Sequence, residues 1–186
     1  YQIYKLLKKL NNNLTIFCFD PFLENSKNNK NFYKIALGNF EGKKNFFMPY
    51  YKNINLDSLN SFKLTNIKNY QKKYLKNTKI NIKTKKIKVN KLDNYNIKSD
   101  FIKIDTEGFE LEILKGAINH IKKNSPVILL EKNDEFFEIK KFLKKLHYDA
   151  YKIFNESFII DTNNFEEDIF FLKKNNKINK NLIYKK

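Results

Sequence analysis

Arginine is absent: all 37 basic residues of this 186-residue chain are lysine, and with 20 acidic residues the formal net charge is +17. Clustered cations favour polyanions because they release counterions from a phosphate backbone. A dedicated nucleic-acid reader, though, draws on the planar fork of arginine for bidentate phosphate and guanine contacts. Tryptophan is absent too, and Ala, Gly and Pro are scarce, whereas Asn, Ile, Phe and Tyr are plentiful. The plentiful residues share A/T-rich codons with lysine, so drift in base composition accounts for the charge. The lysines are expected on solvated faces, and no specific nucleic-acid partner is expected. A module that holds an anionic polymer is the competing reading, and steep loss of affinity with salt would distinguish it.

Cysteine is nearly absent as well. Cys18 is the one thiol, which excludes an internal disulfide framework and points to a reducing, cytoplasmic setting. No apolar run approaches the ~20 residues that cross a bilayer, and the N-terminus carries no secretory pattern. What remains, 41% hydrophobic and 16% aromatic, describes a folded chain rather than a disordered one. The length suits one domain with a proper core.

The most informative stretch is Phe101-Ile102-Lys103-Ile104-Asp105-Thr106-Glu107-Gly108-Phe109-Glu110. A short apolar strand stops at a carboxylate, an acidic turn with one glycine follows, and a helical pattern begins at Leu111. The design recurs at Pro126-Val127-Ile128-Leu129-Leu130-Glu131. In open α/β sheets ligands sit just beyond the carboxyl ends of the strands, so two strands tipped with acid point to a site.

Ile3, Leu6, Leu7 and Leu10 have helical spacing and predict an opening amphipathic helix. Residues 14–19 read as a strand stopped by Asp20-Pro21, since proline cannot donate to a ladder. Residues 25–31 read as a polar helix surface or loop, 32–37 as a strand, and 45–51 as an added strand or hairpin arm. Residues 52–79 form a variable insertion with at most one short helix, near Tyr70, Tyr74 and Leu75. Ile80, Ile82, Ile87 and Val89 predict extended structure. Leu111, Leu114, Ile118 and Ile121 mark one helix with Glu110 and Glu112 in its first turn and Lys122 and Lys123 in its last, matched to the helix dipole. A further helix is outlined by Phe136, Ile139, Phe142, Leu143 and Leu146, and closing strands by 148–154, 158–160 and 169–172. Strands alternating with helices predict an α/β fold with a mostly parallel sheet, closed by an antiparallel hairpin. The domain is expected over residues 1–172, with a lysine- and asparagine-rich tail at 173–186 in which 182–184 docks.

These residues resemble the FkbM family of S-adenosylmethionine-dependent methyltransferases. The resemblance rests on 101–110, on Leu114-Lys115-Gly116-Ala117 and on 126–131. It is supported more weakly by Phe19-Asp20-Pro21, Ala36-Leu37-Gly38 and Val89-Asn90-Lys91-Leu92-Asp93. It covers about residues 14–172 and implies a Rossmann-like class I methyltransferase sheet. It also implies S-adenosyl-L-methionine as cofactor and O-methylation of a sugar, glycan or small-molecule hydroxyl. One departure stands out: the family's opening strand and glycine-rich cofactor turn have no counterpart, since the four glycines are Gly38, Gly42, Gly108 and Gly116. The chain is therefore expected to be cut from a longer one, lacking the first strand of the sheet, and to be poorly stable and inactive alone. A degenerate, inactive methyltransferase fits the same departure.

Asp20, at the end of a strand, is expected to accept hydrogen bonds from ribose hydroxyls; the plainer alternative is an Asp-Pro strand stop. By fold analogy Ala36 and Leu37 would lie near the adenine ring. Asp105 and Glu107 are the expected catalytic residues: Asp105 either orients the acceptor hydroxyl or acts as its base, Glu107 shares that work, and Glu131 reaches the same crevice; Asp105 also belongs to the expected cofactor set. Three carboxylates can hold a divalent cation through oxygen, but no histidine stands at ligand spacing and no metal is expected. Lys103 either pairs with an acid at the sheet end or reaches solvent. Gly108 permits a tight turn or close approach, His120 is expected at the surface near a helix end, His147 in a loop or at a strand entry, and Cys18 in the core.

Overall fold

The computed structural model describes residues 11, 13–23, 30–76, 78–154, 157–160, 168–173 and 183–184. The helix expected at the N-terminus, most of the polar segment 25–31 and most of the tail lie outside them.

β1 (Cys18–Phe19) and β2 (Phe32–Tyr33) form a small parallel sheet of their own, with Cys18 opposite Phe32. The strand expected over 14–19 is thus reduced to its last two residues, which pair with β2. The strand expected over 32–37 is broken. Ile35 N–H donates to the Tyr33 carbonyl at 2.9 Å, an i to i+2 closure that swings the chain out of the sheet. It continues as β3 (Ala36–Leu37), which joins a different, four-stranded sheet.

That sheet is built on a long antiparallel pair, β4 (Gly42–Tyr51) and, later in the chain, residues Asn81–Asn90 (β6), running from Gly42 opposite Val89 to Tyr50 opposite Asn81. β5 (Ile54–Asn55) completes it on the β4 side. Alternation sorts the side chains: Phe46, Ile87 and Val89 bury with Ala36 in a small core, while Lys43, Lys86 and Lys88 stay exposed. The insertion carries a 3₁₀ turn (Asp57–Leu59), α1 (Leu64–Tyr70) and a π-helical turn (Gln71–Leu75), held down by buried Ile67.

The larger sheet contains β7 (Phe101–Ile104), β8 (Val127–Leu130), β9 (Tyr148–Phe154), β10 (Ser157–Ile160), β11 (Ile169–Lys173) and β12 (Ile183–Tyr184), in the order β12-β10-β9-β11-β8-β7. Only β7–β8 and β10–β12 pair in parallel; β8–β11, β11–β9 and β9–β10 are antiparallel. The expectation of a mostly parallel sheet does not hold among the described residues. The reason is the separation of β1 and β2, which leaves β7 as an edge with Phe101 51% exposed. The short β9–β10 link can only reverse direction. Tyr148 O–H donates to the Pro126 carbonyl at 2.9 Å and ties β9 to the start of β8; burial pushes its phenol up to about 12.

The helix expected from Leu111 to Ile121 is two helices, α2 (Glu110–Lys115) and α3 (Ile118–Asn124). Asp93 makes the break possible. Its backbone N–H donates to the Gly116 carbonyl at 3.1 Å, and its carboxylate accepts the N–H groups of Asn119 (3.0 Å) and His120 (2.8 Å). Orphan donors at the start of α3 are thereby satisfied by a residue far away in sequence. α4 (Phe136–Lys144) packs on β9 and against α2. Leu114, Ile121, Ile128, Leu143 and Ile169, each essentially inaccessible, form the centre of the main core. Each such side chain contributes about 1.5–3 kcal/mol by leaving water.

Candidate active site

β7 and β8 run side by side in register, Ile104 opposite Leu130. The next residue of each is a carboxylate, Asp105 and Glu131, so parallel pairing alone sets two acids at one sheet end. Lys103 Nζ stands 2.5 Å from Asp105 Oδ2. Both side chains are well exposed, and an exposed pair of this kind orients more than it stabilises.

Glu107 completes the cluster. Partial burial pushes its carboxyl above the ordinary carboxylate value, and the charges of Glu131, Asp105 and Glu110 push in the same direction. A carboxylate crowded by like charges holds a proton more readily, which is the property a base for a hydroxyl proton needs.

The loop that carries Asp105 and Glu107 is braced from both sides. Glu110 is 3% exposed. Its Oε1 accepts Thr106 N–H (3.1 Å), Thr106 Oγ1–H (3.1 Å) and Gly108 N–H (3.2 Å), and its Oε2 accepts the Asn133 amide. Burial raises the Glu110 carboxyl, and these backbone and hydroxyl donors offset only part of that rise. On the outer side, Ser61 Oγ (2.7 Å) and Asn66 Nδ2 (2.9 Å) both donate to the Glu107 carbonyl. Gly108 lies at φ +89°, and a Cβ there would meet Asn66 Nδ2 at 2.0 Å. Glycine is needed both for the left-handed backbone and for the close approach.

Ser61, Asn66 and Asn133 were not legible as site residues. Ser61 and Asn66 lie in the segment read as a variable insertion, and nothing in its local pattern points 41 residues onward to Glu107. Asn133 did leave a trace. Its Oδ1 accepts Glu135 N–H at 2.8 Å, the turn habit of an Asn just ahead of a helix.

Asp20 stands apart from this cluster. Its Oδ1 accepts Phe22 N–H at 2.7 Å and its N–H donates to the Tyr33 carbonyl at 3.1 Å, which is the geometry of a strand stop. The exposed carboxylate retains a second oxygen for a ligand hydroxyl. Beneath it Phe19 stacks on Tyr33, 4.6 Å between centroids. Ala36 is buried in the small core, and Leu37 packs half-buried on the main one. Cys18 is half-buried, its thiol raised by burial and by Asp20.

His120 corrects an expectation. It is 6% exposed rather than at the surface, with Nε2 2.7 Å from Ser99 Oγ, and burial lowers its pKa. The cause is α3 itself: docked by Asp93, it turns His120 inward. His147 sits in a turn at φ +67°. Among the described residues no three His, Cys, Asp or Glu side chains are placed to share a metal ion, and no helix is long and apolar enough to cross a membrane.

Comparison with curated proteins finds no match. Among solved structures, the fold is similar to a crystal structure of methyltransferase FkbM from Methylobacillus flagellatus KT, at 13% identity and a TM-score of 0.44. The match takes in 91% of this chain but 32% of that one, so the chain spans about a third of that protein's length. The family model described as the methyltransferase FkbM domain matches residues 3–150, which takes in the strand-tip acids Asp105 and Glu131, the braced loop between them and both small sheets. The chain belongs to the FkbM methyltransferase domain family.

Proposed function

We propose that this chain forms the acceptor side of an S-adenosyl-L-methionine-dependent methyltransferase acting on a sugar, glycan or small-molecule hydroxyl. The observation that carries the proposal is the convergence of Asp105, Glu131 and Glu107 at the carboxyl ends of two adjacent parallel strands. Family membership supports the reaction class.

When bound, the cofactor supplies an electrophilic methyl on a sulfonium sulfur. The chain's own residues then act on the acceptor. Asp105, steadied by Lys103, orients the acceptor hydroxyl. Glu107 takes the hydroxyl proton as the oxygen becomes nucleophilic, and Glu131 supports its basicity. The contribution is mostly orientation and one proton transfer.

The residues present fit the ribose end of the cofactor in one respect. Asp20 is exposed at a strand end with an oxygen to spare. The adenine end has less to offer, because the Ala36 methyl is enclosed by the small core, leaving Leu37 and the backbone. In this reading residues 1–172 are the methyltransferase unit and 173–186 its tail.

Calorimetry with S-adenosylhomocysteine on the full-length protein, wild type against Asp20→Ala, tests the cofactor assignment. Binding weakened by about tenfold or more is expected from loss of a charge-assisted hydrogen bond. Equal affinities would remove Asp20 from the cofactor site.

A further inference from the structure

We propose that the outward face of α1 and its π-helical extension docks an acidic glycan, a carbohydrate chain bearing carboxylate or phosphate groups, and presents one of its hydroxyls to the carboxylates around Glu107. This rests on the methyl-transfer reading and names its acceptor class.

The face begins at the candidate site. Asn66, in the first turns of α1, donates to the Glu107 carbonyl at 2.9 Å. Tyr70 and Tyr74 follow at four-residue steps, the spacing that keeps side chains on one side of a helix. Their ring centroids lie 4.8 Å apart, and they are 40% and 58% exposed. About 12 Å of helix axis separates Asn66 from Tyr74, room for several linked sugar rings rather than one. A tyrosine combines an apolar face with a polar edge, and a sugar ring does the same with its C–H face and its hydroxyls.

Charge selects the kind of glycan. From Ser58 to Leu92 the chain has eleven lysines and no acidic residue. Base-composition drift accounts for many lysines, but it does not explain why acids are excluded here. Lys68 and Lys72 are exposed one helical turn apart, and like charges at that spacing destabilise a helix unless a counter-charge arrives. Lys73 Nζ lies 4.7 Å from the Tyr74 ring centroid, on the ring platform itself. Two acids of a turn elsewhere face this segment, Asp134, near Lys73, and Glu135, ion-paired with Lys63 at 2.5 Å, and Glu107 meets it at Asn66. Among the described residues neither Lys68 nor Lys72 forms an ion pair.

The two charge signs also impose a direction. Asp105, Glu107 and Glu131 repel anionic substituents, whereas the lysines of α1 attract them, so a neutral hydroxyl is what reaches the base. The absence of arginine argues against a nucleic acid on the same face.

The test is calorimetry with oligogalacturonate, neutral dextran oligomers and oligo-dT, on wild type and on the Tyr70→Ala/Tyr74→Ala double variant. S-adenosylhomocysteine is titrated in parallel. Both rings are exposed, so the variant should match the wild-type circular dichroism and thermal midpoint. Oligogalacturonate is expected to bind, to weaken about tenfold in the variant and to weaken steeply with salt, with cofactor-product affinity equal in both proteins. Failure of oligogalacturonate to bind, equal binding by the variant, or binding of dextran or oligo-dT just as tightly would overturn the proposal. Failure of S-adenosylhomocysteine alone, with the glycan result intact, would overturn the methyl-transfer reading and leave the docking face standing.

Discussion

Gly116 and Gly38 touch backbone to backbone: a Cβ built on Gly116 would lie 1.8 Å from the Gly38 carbonyl oxygen. This contact sets the break between α2 and α3 against the end of β3, and through it the two larger sheets share one body. Gly116→Ala should therefore destabilise the fold by about 1–3 kcal/mol, the usual cost of overpacking. Helix propensity alone predicts the opposite sign, because the backbone at Gly116 is ordinary right-handed helix (φ −78°) and alanine is preferred there. Urea unfolding decides between them, and an unchanged or raised midpoint would mean the contact relaxes freely.

Glu110→Gln keeps the side chain's size but replaces one acceptor oxygen with a donor. That amide would confront Asn133 Nδ2, and turning Asn133 round would forfeit its bond from Glu135 N–H. A stability loss of about 1–3 kcal/mol is expected for the unsatisfied buried group. Turnover should fall as well, because a neutral amide oxygen holds Thr106 and Gly108 more weakly than a carboxylate does. Full stability together with full activity would show that the loop holds its shape without the charge.

Asp105→Ala is expected to leave S-adenosylhomocysteine affinity near normal and to cut turnover on the order of a hundredfold or more, the scale of a lost orienting contact. Unchanged turnover would defeat the assignment.

The pH dependence of Glu107 follows from its surroundings. As a base it works deprotonated, and burial and its acidic neighbours raise its pKa. Activity should rise with pH and reach half-maximum above the ordinary carboxylate value. Glu131→Gln removes one raising charge, so the rate profile should move to lower pH; a profile that stays in place would separate Glu107 from the rate. For stability the sign is reversed from that of a salt-bridged acid. The folded state holds this proton more tightly than the unfolded chain, so the contribution is present at low pH and is lost as pH rises through the raised value.

His120 titrates in the opposite sense. Burial lowers its pKa below the ordinary 6.5, so the unfolded chain binds the proton more readily. Its contribution to stability is complete above pH 6.5 and falls as pH drops through the lowered value. His120→Gln should flatten that part of the stability curve. An unaltered acid limb in urea titrations at several pH values would assign it to other groups.

The parts of the fold that could be read along the chain are those governed by near neighbours. Residues 101–104 and 127–130 are apolar runs ended by an acid, and they form β7 and β8 ahead of Asp105 and Glu131. The hairpin arm expected at 45–51 lies within β4, and the closing strands fall where their apolar residues stand. What escaped prediction depends on contacts between distant segments. The helix pattern through Ile121 is continuous in sequence, yet Asp93 and Gly38 interrupt it. Ser61 and Asn66 brace Glu107 from a segment with no pattern of its own.

Periodicity, turn chemistry and the placement of carboxylates after apolar runs were thus settled by the order of amino acids, because each depends on backbone preference within a few residues. Which strands share a sheet, which helix breaks and which polar groups hold the acidic loop were settled only when the chain folded. Those choices turn on packing and hydrogen bonds between segments far apart in sequence, where a buried donor or acceptor takes whichever partner the assembled core leaves within reach.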